Sequence, residues 1–179
     1  MKRSDALTNR DALLRAAFDV FAERGFDVPL EEIAAAANVS RTTLYRNFKD
    51  KQALGIAIFE SNLTELETIA CSLHDKPDGL FTLLQMMAEG FARSAGLADV
   101  IVGNPAWEPQ LTAMRDRVVK LMLPLLDVAR QHKLVRDDLS EADLDLMLDL
   151  FGTSNRGTQT ARMQHGQRVL DLLCRGIKP

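Results

Sequence analysis

The sequence predicts an all-α protein of about nine helices. Apolar residues recur at spacings of three and four along most of the chain, as on one face of a helix, and no segment shows the alternation of a half-buried strand. Residues typical of helix ends separate these segments. Gly25 follows the first segment, and Ser40, Asp50 and Ser140 precede later ones as N-caps. Asn38 tolerates the left-handed conformation that a tight turn between two helices requires.

The composition is that of a folded protein, with 46% hydrophobic and 26% charged residues in a chain of 179. No apolar run follows the cations near the N-terminus, so we expect no secretory signal. The longest apolar runs are far shorter than the roughly 20 residues that span a bilayer. Cys71 and Cys174 form no CxxC pair, which favours buried thiols in a reducing compartment. We therefore expect a cytoplasmic protein that does not enter a membrane.

Positive charge is concentrated in one short segment of an acidic chain. The net charge is −3, but residues 1–55 carry nine Lys/Arg against eight Asp/Glu, whereas the remainder carries thirteen against seventeen. The segment VSRTTLYRNFKDKQAL, residues 39–54, holds four cations and one carboxylate. The N-terminal third is therefore the part of the chain best suited to face a polyanion.

The side chains of this segment separate into two faces when it is placed on a helix. Leu44 and Phe48 are four residues apart and share one apolar face, which can anchor the helix. Thr42, Tyr45 and Arg46 share the opposite face, where arginine can bind a guanine edge through two hydrogen bonds in the major groove. This arrangement predicts a helix-turn-helix whose second helix reads DNA. The alternative is a helical hairpin whose polar face is merely solvated.

The segments AAFDVFAERGFD and PLEEIAAAANVSRTTLYRNFKDKQAL resemble the DNA-binding domain of the TetR family of bacterial transcriptional regulators. The resemblance covers residues 8–55, and Asn38 stands where the family commonly has glycine. It implies a helix-turn-helix DNA-binding domain over residues 1–55 and a helical ligand-binding and dimerisation domain over residues 56–179. The positions that match the family motif are Val39, Ser40, Leu44, Tyr45, Phe48, Asp50, Lys51 and Leu54.

The same resemblance assigns two roles on the double-stranded DNA operator. Phosphate contacts set position and affinity, whereas base contacts set the choice of sequence. The resemblance implies that the base edges are contacted by Arg41, Thr42 and Arg46. It implies that the backbone phosphates are contacted by Thr43, Tyr45, Asn47 and Lys51. Lys51 also stands in the first turn of the following helix, where free backbone N–H groups favour an anion.

The last two predicted helices carry apolar residues on more of their circumference than one core face requires. The segments DLDLMLDLF and QRVLDLLCRGI show this pattern. A helix that is apolar on two sides is either fully buried or placed at an interface. Because these helices lie in the part of the chain to which the resemblance assigns dimerisation, we expect a homodimer. The expected interface residues are Leu146, Leu150, Leu170 and Leu173.

The middle helices contain residues that could line a pocket for an unknown small-molecule effector, which we expect to be apolar or amphipathic. These candidates are Met86, Phe91, Trp107, Met114, Met122 and Phe151. Pro124 should bend its helix, because proline lacks the amide hydrogen and crowds the preceding turn. The alternative is that the candidates are ordinary core residues and that the bend follows the curvature of the core.

The sequence gives no support to an enzyme, a metal site or a cofactor. Its three histidines lie on separate elements, and neither an HExxH pair nor a glycine-rich phosphate loop occurs. We therefore expect a ligand-responsive transcriptional regulator: a dimeric repressor that binds a near-palindromic operator and is released by a small molecule. The alternatives are a helical protein-binding adaptor, or an activator without a small-molecule inducer.

Overall fold

The computed structural model describes residues 2–101, 105–153 and 157–179. These ranges contain eight α-helices and no strand, which confirms the all-α prediction. The helices are α1 (Lys2–Arg24), α2 (Leu30–Ala36), α3 (Arg41–Asn47), α4 (Lys51–Leu73), α5 (Gly79–Ile101), α6 (Glu108–Gln131), α7 (Glu141–Thr153) and α8 (Gln159–Gly176).

The described residues contain eight helices, against about nine expected, because α5 is longer than the sequence suggested. The two glycines and two prolines of the segment GLADVIVGNPAWEP, residues 96–109, predict a break after residue 95, but α5 continues through Gly96 to Ile101. A single glycine inside a helix costs only about 1 kcal/mol, which the neighbouring turns can offset. The remainder of that segment includes residues 102–104. The sequence also predicts a polar stretch, GTSNRGTQT, before α8, and this stretch includes residues 154–156. Residues 102–104 and 154–156 lie outside the described residues.

The chain divides into two compact units. One contains Met1–Asn62 together with Gly96–Trp107, and the other contains Leu63–Ala95 together with Glu108–Pro179. Helix α4 therefore contributes residues to both units. The functional division at residue 55, which was expected from the family resemblance, stays a prediction.

The first unit is built around the apolar sides of its short helices. Leu13 and Phe21 of α1 and Ile33 of α2 are almost completely removed from solvent. The ring of Phe21 lies 4.9 Å from that of Phe26, in the turn that follows α1. Gly25 ends α1 with φ of +79°, and this left-handed conformation carries no steric cost for glycine. The packing holds α1, α2 and α3 as one small domain.

The second unit has a larger core drawn from α4, α5, α6, α7 and α8. Leu83, Met122 and Phe151 lie in this core with no exposed surface. Helix α6 runs without interruption through Pro124, so the proline is accommodated inside it. The Ser140 cap before α7 is confirmed as a capping box. The Ser140 N–H donates to Asp143 over 2.7 Å, and the Asp143 N–H donates to the Ser140 hydroxyl over 3.3 Å.

Two arginines of α6 connect that helix to its neighbours in the second unit. Arg115 donates to the carboxylates of Asp145 and Asp149 on α7, and also to the Asp145 carbonyl over 2.9 Å. Arg117 binds the Glu67 carboxylate of α4 at 2.6 Å. The guanidinium of Arg115 lowers the pKa of the Asp149 carboxyl. These contacts join α6 to α7 and to α4.

The expectation that both cysteines are buried is wrong for Cys71. Its side chain is exposed on α4, whereas Cys174 on α8 is half-buried, and both thiols are free. Burial raises the pKa of the Cys174 thiol. Apolar spacing did not distinguish the two because cysteine is small enough to occupy either side of a helix.

Candidate nucleic-acid interface

The turn between α2 and α3 has the geometry that the sequence predicted. Asn38 adopts φ of +53°, which places it in the left-handed region. Ser40 caps α3, because its hydroxyl accepts a hydrogen bond of 3.1 Å from the Thr43 N–H. The turn and the cap together fix where α3 begins and how it crosses the first two helices.

Helix α3 presents one apolar and one polar face, as expected. Leu44 is buried at the centre of α3, and Phe48 is buried directly after its last residue. The side chains exposed on the opposite side are those of Arg41, Thr42, Tyr45 and Arg46. Tyr45 retains 49% of its surface, which is unusual for a large aromatic residue and leaves its hydroxyl accessible. The structure thus brings four of the seven predicted DNA-binding residues onto one outward face.

Two residues of this outward face bind the same carboxylate oxygen. The Tyr45 hydroxyl donates to Oε1 of Glu31 over 3.1 Å. A guanidinium nitrogen of Arg41 lies 3.1 Å from the same Oε1. Glu31 is in the first turn of α2, so this contact ties the two helices of the motif together across the exposed surface.

The shared contact changes the acidity of both acidic partners. Two hydrogen bonds hold the pKa of the Glu31 carboxyl below its usual value. The larger effect comes from the backbone amide of Glu31 itself, and the next from the Tyr45 hydroxyl. The hydrogen bond to Glu31 raises the pKa of the Tyr45 hydroxyl, since ionising the phenol would place two negative charges side by side. At neutral pH, Glu31 is therefore a carboxylate and Tyr45 is a neutral donor.

Thr42 and Arg46, the other two residues of the outward face, differ from Tyr45 and Arg41 in their contacts. Among the residues that the structure describes, the side chains of Thr42 and Arg46 make no hydrogen bond or ion pair. Their donors can therefore contact a groove without first breaking an internal contact. This matches the role in base recognition that the resemblance implies for them, although that role stays a prediction.

The remaining predicted phosphate ligands are engaged within the domain. Thr43 shares a hydrogen bond of 2.9 Å between its hydroxyl and that of Ser40. The Asn47 side-chain amide donates to the Thr43 carbonyl over 2.8 Å. Lys51 donates to the Phe26 carbonyl over 2.9 Å. Each of these polar groups retains further hydrogen-bonding capacity, so an internal partner does not exclude a phosphate contact.

The predicted ligand-binding residues do not form one group. Trp107 belongs to the first compact unit, and the other five candidates belong to the second. Met122 and Phe151 are fully buried in the core, and the ring of Phe91 stacks on that of Phe151 at 6.1 Å. Met114 is also buried, whereas Met86 is exposed. A small surface depression in the second unit is lined by other residues, namely Ala88, Glu89, Met163 and Gln167.

The predicted interface residues have two different environments. On α7, Leu146 and Leu150 project outward, and Leu146 retains 55% of its surface. On α8, Leu170 is buried in the core of its own chain and Leu173 is half-buried against it. The exposed leucine of α8 is Leu172, with 54% of its surface accessible.

Two residues that the sequence analysis did not single out, Glu31 and Leu172, lie on the surfaces described above. Glu31 was assigned no role, because its contacts with α3 depend on how α2 and α3 pack against each other. Leu172 was missed because Leu170, Leu172 and Leu173 lie close together in sequence. Only the register of α8 against the core shows which of them faces outward.

A comparison with known protein families matches residues 13–58 to the model for bacterial regulatory proteins of the TetR family. The match spans α2, α3 and the capped start of α4, and it therefore contains the outward face described above. Residues 13–58 of the chain are a TetR-family DNA-binding segment.

Similar proteins match the chain over nearly its whole length. The HTH-type transcriptional repressor BepR of Brucella suis biovar 1 (strain 1330) is 26% identical, covering 98% of this chain and 90% of BepR. A TetR transcription regulatory protein from Mycobacterium vanbaalenii has a TM-score of 0.78 at 28% identity, with both chains covered completely. The TetR transcriptional regulator SCO0520 from Streptomyces coelicolor has a TM-score of 0.73 at 28% identity, covering 95% of this chain and 98% of SCO0520. The chain is thus a transcriptional regulator with a helix-turn-helix DNA-binding motif.

The described residues also bear on two other kinds of site, a membrane span and a metal site. No helix there combines the length and the apolar character needed to cross a bilayer. Residues 2–101, 105–153 and 157–179 also contain no group of three or more His, Cys, Asp or Glu side chains placed to hold a metal ion.

Proposed function

We propose that this TetR-family protein is a dimeric repressor that binds a near-palindromic DNA operator and leaves it when a small molecule binds. The observation that carries the proposal is the outward face of α3, where two arginines, a threonine and a tyrosine are exposed opposite the buried Leu44 and Phe48. The resemblance to a protein named as a transcriptional repressor supports repression rather than activation.

Within this proposal, residues 1–55 read DNA and residues 56–179 bind the effector and a second copy of the chain. Arg46 and Thr42 contact base edges, supported by their lack of partners among the described residues, and Arg41 joins them at the start of α3. Thr43, Tyr45, Asn47 and Lys51 contact phosphates. A helix in the major groove can reach both kinds of group at once.

Exposed leucines on α7 and α8 support the proposal of a dimer. Leu146, Leu150 and Leu172 are large apolar side chains left on the surface of the second unit. Arg115 holds Asp145 and Asp149, each the immediate neighbour of one of the α7 leucines, and so keeps those leucines turned away from α6. A symmetric dimer would bury these leucines and would hold two recognition helices about 34–36 Å apart, one for each half-site.

The proposed effector is apolar or amphipathic and binds within the second unit. Phe91, Met114, Met122 and Phe151 give that unit an interior of aromatic rings and flexible thioethers, which can rearrange around a ligand. Pro124 leaves the Lys120 carbonyl without its helical donor, so α6 can deform there at lower cost than an uninterrupted helix. An effector that favours a different half-site spacing weakens operator binding, and the operator weakens effector binding by the same factor.

The DNA-binding part is tested by selecting duplexes from a random library with the full-length protein and then measuring affinity by gel shift. The expected result is enrichment of one near-palindromic sequence that is bound far more tightly than a scrambled duplex. An Arg46→Ala protein should enrich sequences in which the preference for the base contacted by Arg46 is relaxed. Equal binding of selected and scrambled duplexes by the wild type would contradict the proposal.

The effector part is tested by a thermal-shift screen of apolar and amphipathic compounds, followed by gel shifts on the selected operator. A ligand of the native state raises the melting temperature, and an inducer must also release DNA. Polar compounds of similar size serve as the control set. Compounds that stabilise the protein without changing operator affinity would show that the second unit binds ligands but does not regulate.

A further inference from the structure

The Glu31 carboxylate occupies donors that DNA would need. One oxygen of Glu31 accepts the Tyr45 hydroxyl at 3.1 Å and lies 3.1 Å from a guanidinium nitrogen of Arg41. Both donors belong to α3, and their side chains are exposed: Arg41 retains 71% of its side-chain surface. An anionic oxygen that accepts a hydrogen bond from the Tyr45 phenol makes the contact that a backbone phosphate oxygen would make at this surface.

These two sets of contacts compete directly for Tyr45. A phenol has a single proton, so a Tyr45 hydroxyl that donates to Glu31 cannot at the same time donate to a phosphate. Arg41 has five N–H donors and is less restricted, but a phosphate approaching it would be repelled by the neighbouring carboxylate. The tie to Glu31 therefore opposes DNA binding rather than assisting it.

We propose that Glu31 acts as an internal competitor for DNA phosphate, holding the Tyr45 hydroxyl and pairing with the charge of Arg41 until a duplex displaces it. This inference rests on the proposed DNA-binding function and adds a residue to it. Glu31 weakens the binding of every duplex by the same factor, because phosphates carry no sequence information. Thr42 and Arg46, whose side chains have no partner among the described residues, keep their ability to distinguish bases. The competitor thus lowers occupancy of non-specific DNA while leaving the ratio between operator and other sequences unchanged.

The chain offers a matched control in the adjacent residue. Glu32 carries the same charge at the next position of α2, but it pairs with Arg24 of α1 at 2.7 Å. Replacing either glutamate by glutamine changes the net charge of the protein equally. A difference between the two variants therefore reports the local contact and not the overall charge.

The experiment measures the affinity of wild type, Glu31→Gln and Glu32→Gln for a selected operator and for a random duplex at several salt concentrations. Glu31→Gln should bind both duplexes more tightly by up to about fivefold, the upper end of the effect of an exposed ion pair. Its dependence of log affinity on log salt should also steepen, because Arg41 loses its ion pair with Glu31 and its full charge then faces the DNA. Glu32→Gln should remain close to wild type in both respects.

Tyr45→Phe in the wild-type and Glu31→Gln backgrounds supplies the second measurement. Removal of the hydroxyl should reduce affinity more in the Glu31→Gln background, where the donor is no longer held by a carboxylate. Circular dichroism and thermal melts of each variant confirm that the domain is folded.

The outcomes separate the inference from the function on which it rests. Weaker DNA binding by Glu31→Gln would show that the carboxylate positions the donors instead of withholding them, and would overturn the inference. Equal gains in Glu31→Gln and Glu32→Gln would overturn it as well, because charge alone would then explain the result. In both of those cases the proposed DNA-binding function stands. If wild type and both glutamine variants bind no duplex, the inference and the proposed function fall together.

Discussion

The Lys51 ammonium donates a hydrogen bond of 2.9 Å to the Phe26 carbonyl and lies 5.3 Å from the centre of the Phe26 ring. Lys51 opens α4, while Phe26 is in the turn that follows α1. The contact therefore joins the start of α4 to the turn after α1, which lies 25 residues earlier in the sequence. A residue that the family resemblance assigns to phosphate binding is thus also part of the domain's internal structure.

Lys51→Ala should reduce both stability and DNA affinity. Loss of the hydrogen bond to Phe26 should lower the free energy of unfolding by about 1 kcal/mol. Loss of a phosphate contact should weaken all duplexes alike and reduce the salt slope by about one. Lys49→Ala is the control. The Lys49 side chain is largely exposed, and its ion pair with the adjacent Asp50 is long, at 3.8 Å. Urea titrations and gel shifts would measure the two effects, and an unchanged stability of Lys51→Ala would argue against the structural role.

Arg46→Ala should alter sequence preference without altering stability. Its side chain is exposed on α3 and has no partner among the described residues, so its removal leaves no buried group unpaired. If Arg46 contacts a base, the variant should lose about 1–3 kcal/mol of binding free energy on the selected operator and much less on a scrambled duplex. Losses of equal size on both duplexes would place Arg46 on the phosphate backbone instead.

The ionisation of Tyr45 can be followed without interference, since it is the single tyrosine of the chain. Its pKa is raised by the hydrogen bond to Glu31. The contribution of this contact to stability is therefore present below the usual tyrosine pKa of about 10 and is lost as the pH rises through the higher value of the folded protein. Ultraviolet titration should show a lower tyrosine pKa in Glu31→Gln than in wild type, with Glu32→Gln unchanged. The same pKa in all three proteins would mean that the contact does not persist in solution.

Charges on the exposed leucines should disrupt self-association without unfolding the chain. Leu146→Glu and Leu172→Glu place a carboxylate where the structure leaves an apolar side chain in solvent, so the monomer tolerates them. If these positions are buried at a dimer interface, each new carboxylate would be unpaired there and would destabilise the dimer. Sedimentation velocity should therefore show folded monomers. Gln131→Glu, which adds the same charge at an exposed position of α6, should sediment as the wild type does. Dimers of undiminished stability in both leucine variants would place the interface elsewhere.

Leu170→Ala should act on folding rather than on assembly. Leu170 is buried within its own chain and belongs to the same core as Phe151 and Met122. Truncating such a leucine leaves a cavity and should lower the free energy of unfolding by about 2–5 kcal/mol. Leu172→Ala, two residues away and exposed, should change the unfolding of a monomeric background by less than about 0.5 kcal/mol. Denaturant titrations would compare them, and similar losses would contradict the register of α8.

The face of α3 could be predicted from the sequence because it depends on local physics. The spacing of Leu44 and Phe48 and the cap at Ser40 both act within a few residues along the chain. Together they determine which side of the helix is buried and where the helix begins, and therefore which way Arg46 points. The family motif lies in the same segment, so it could be recognised without any tertiary information.

Only the tertiary structure decided which long-range partners these residues meet. Glu31 binds Tyr45 and Arg41, and Lys51 binds the Phe26 carbonyl, because separate helices pack at particular rotations that no local pattern encodes. For the same reason, apolar spacing could identify α7 and α8 as unusually apolar but could not tell the buried Leu170 from the exposed Leu146 and Leu172. Burial depends on the register of one helix against its neighbours, and that register is set by the packing of the whole core.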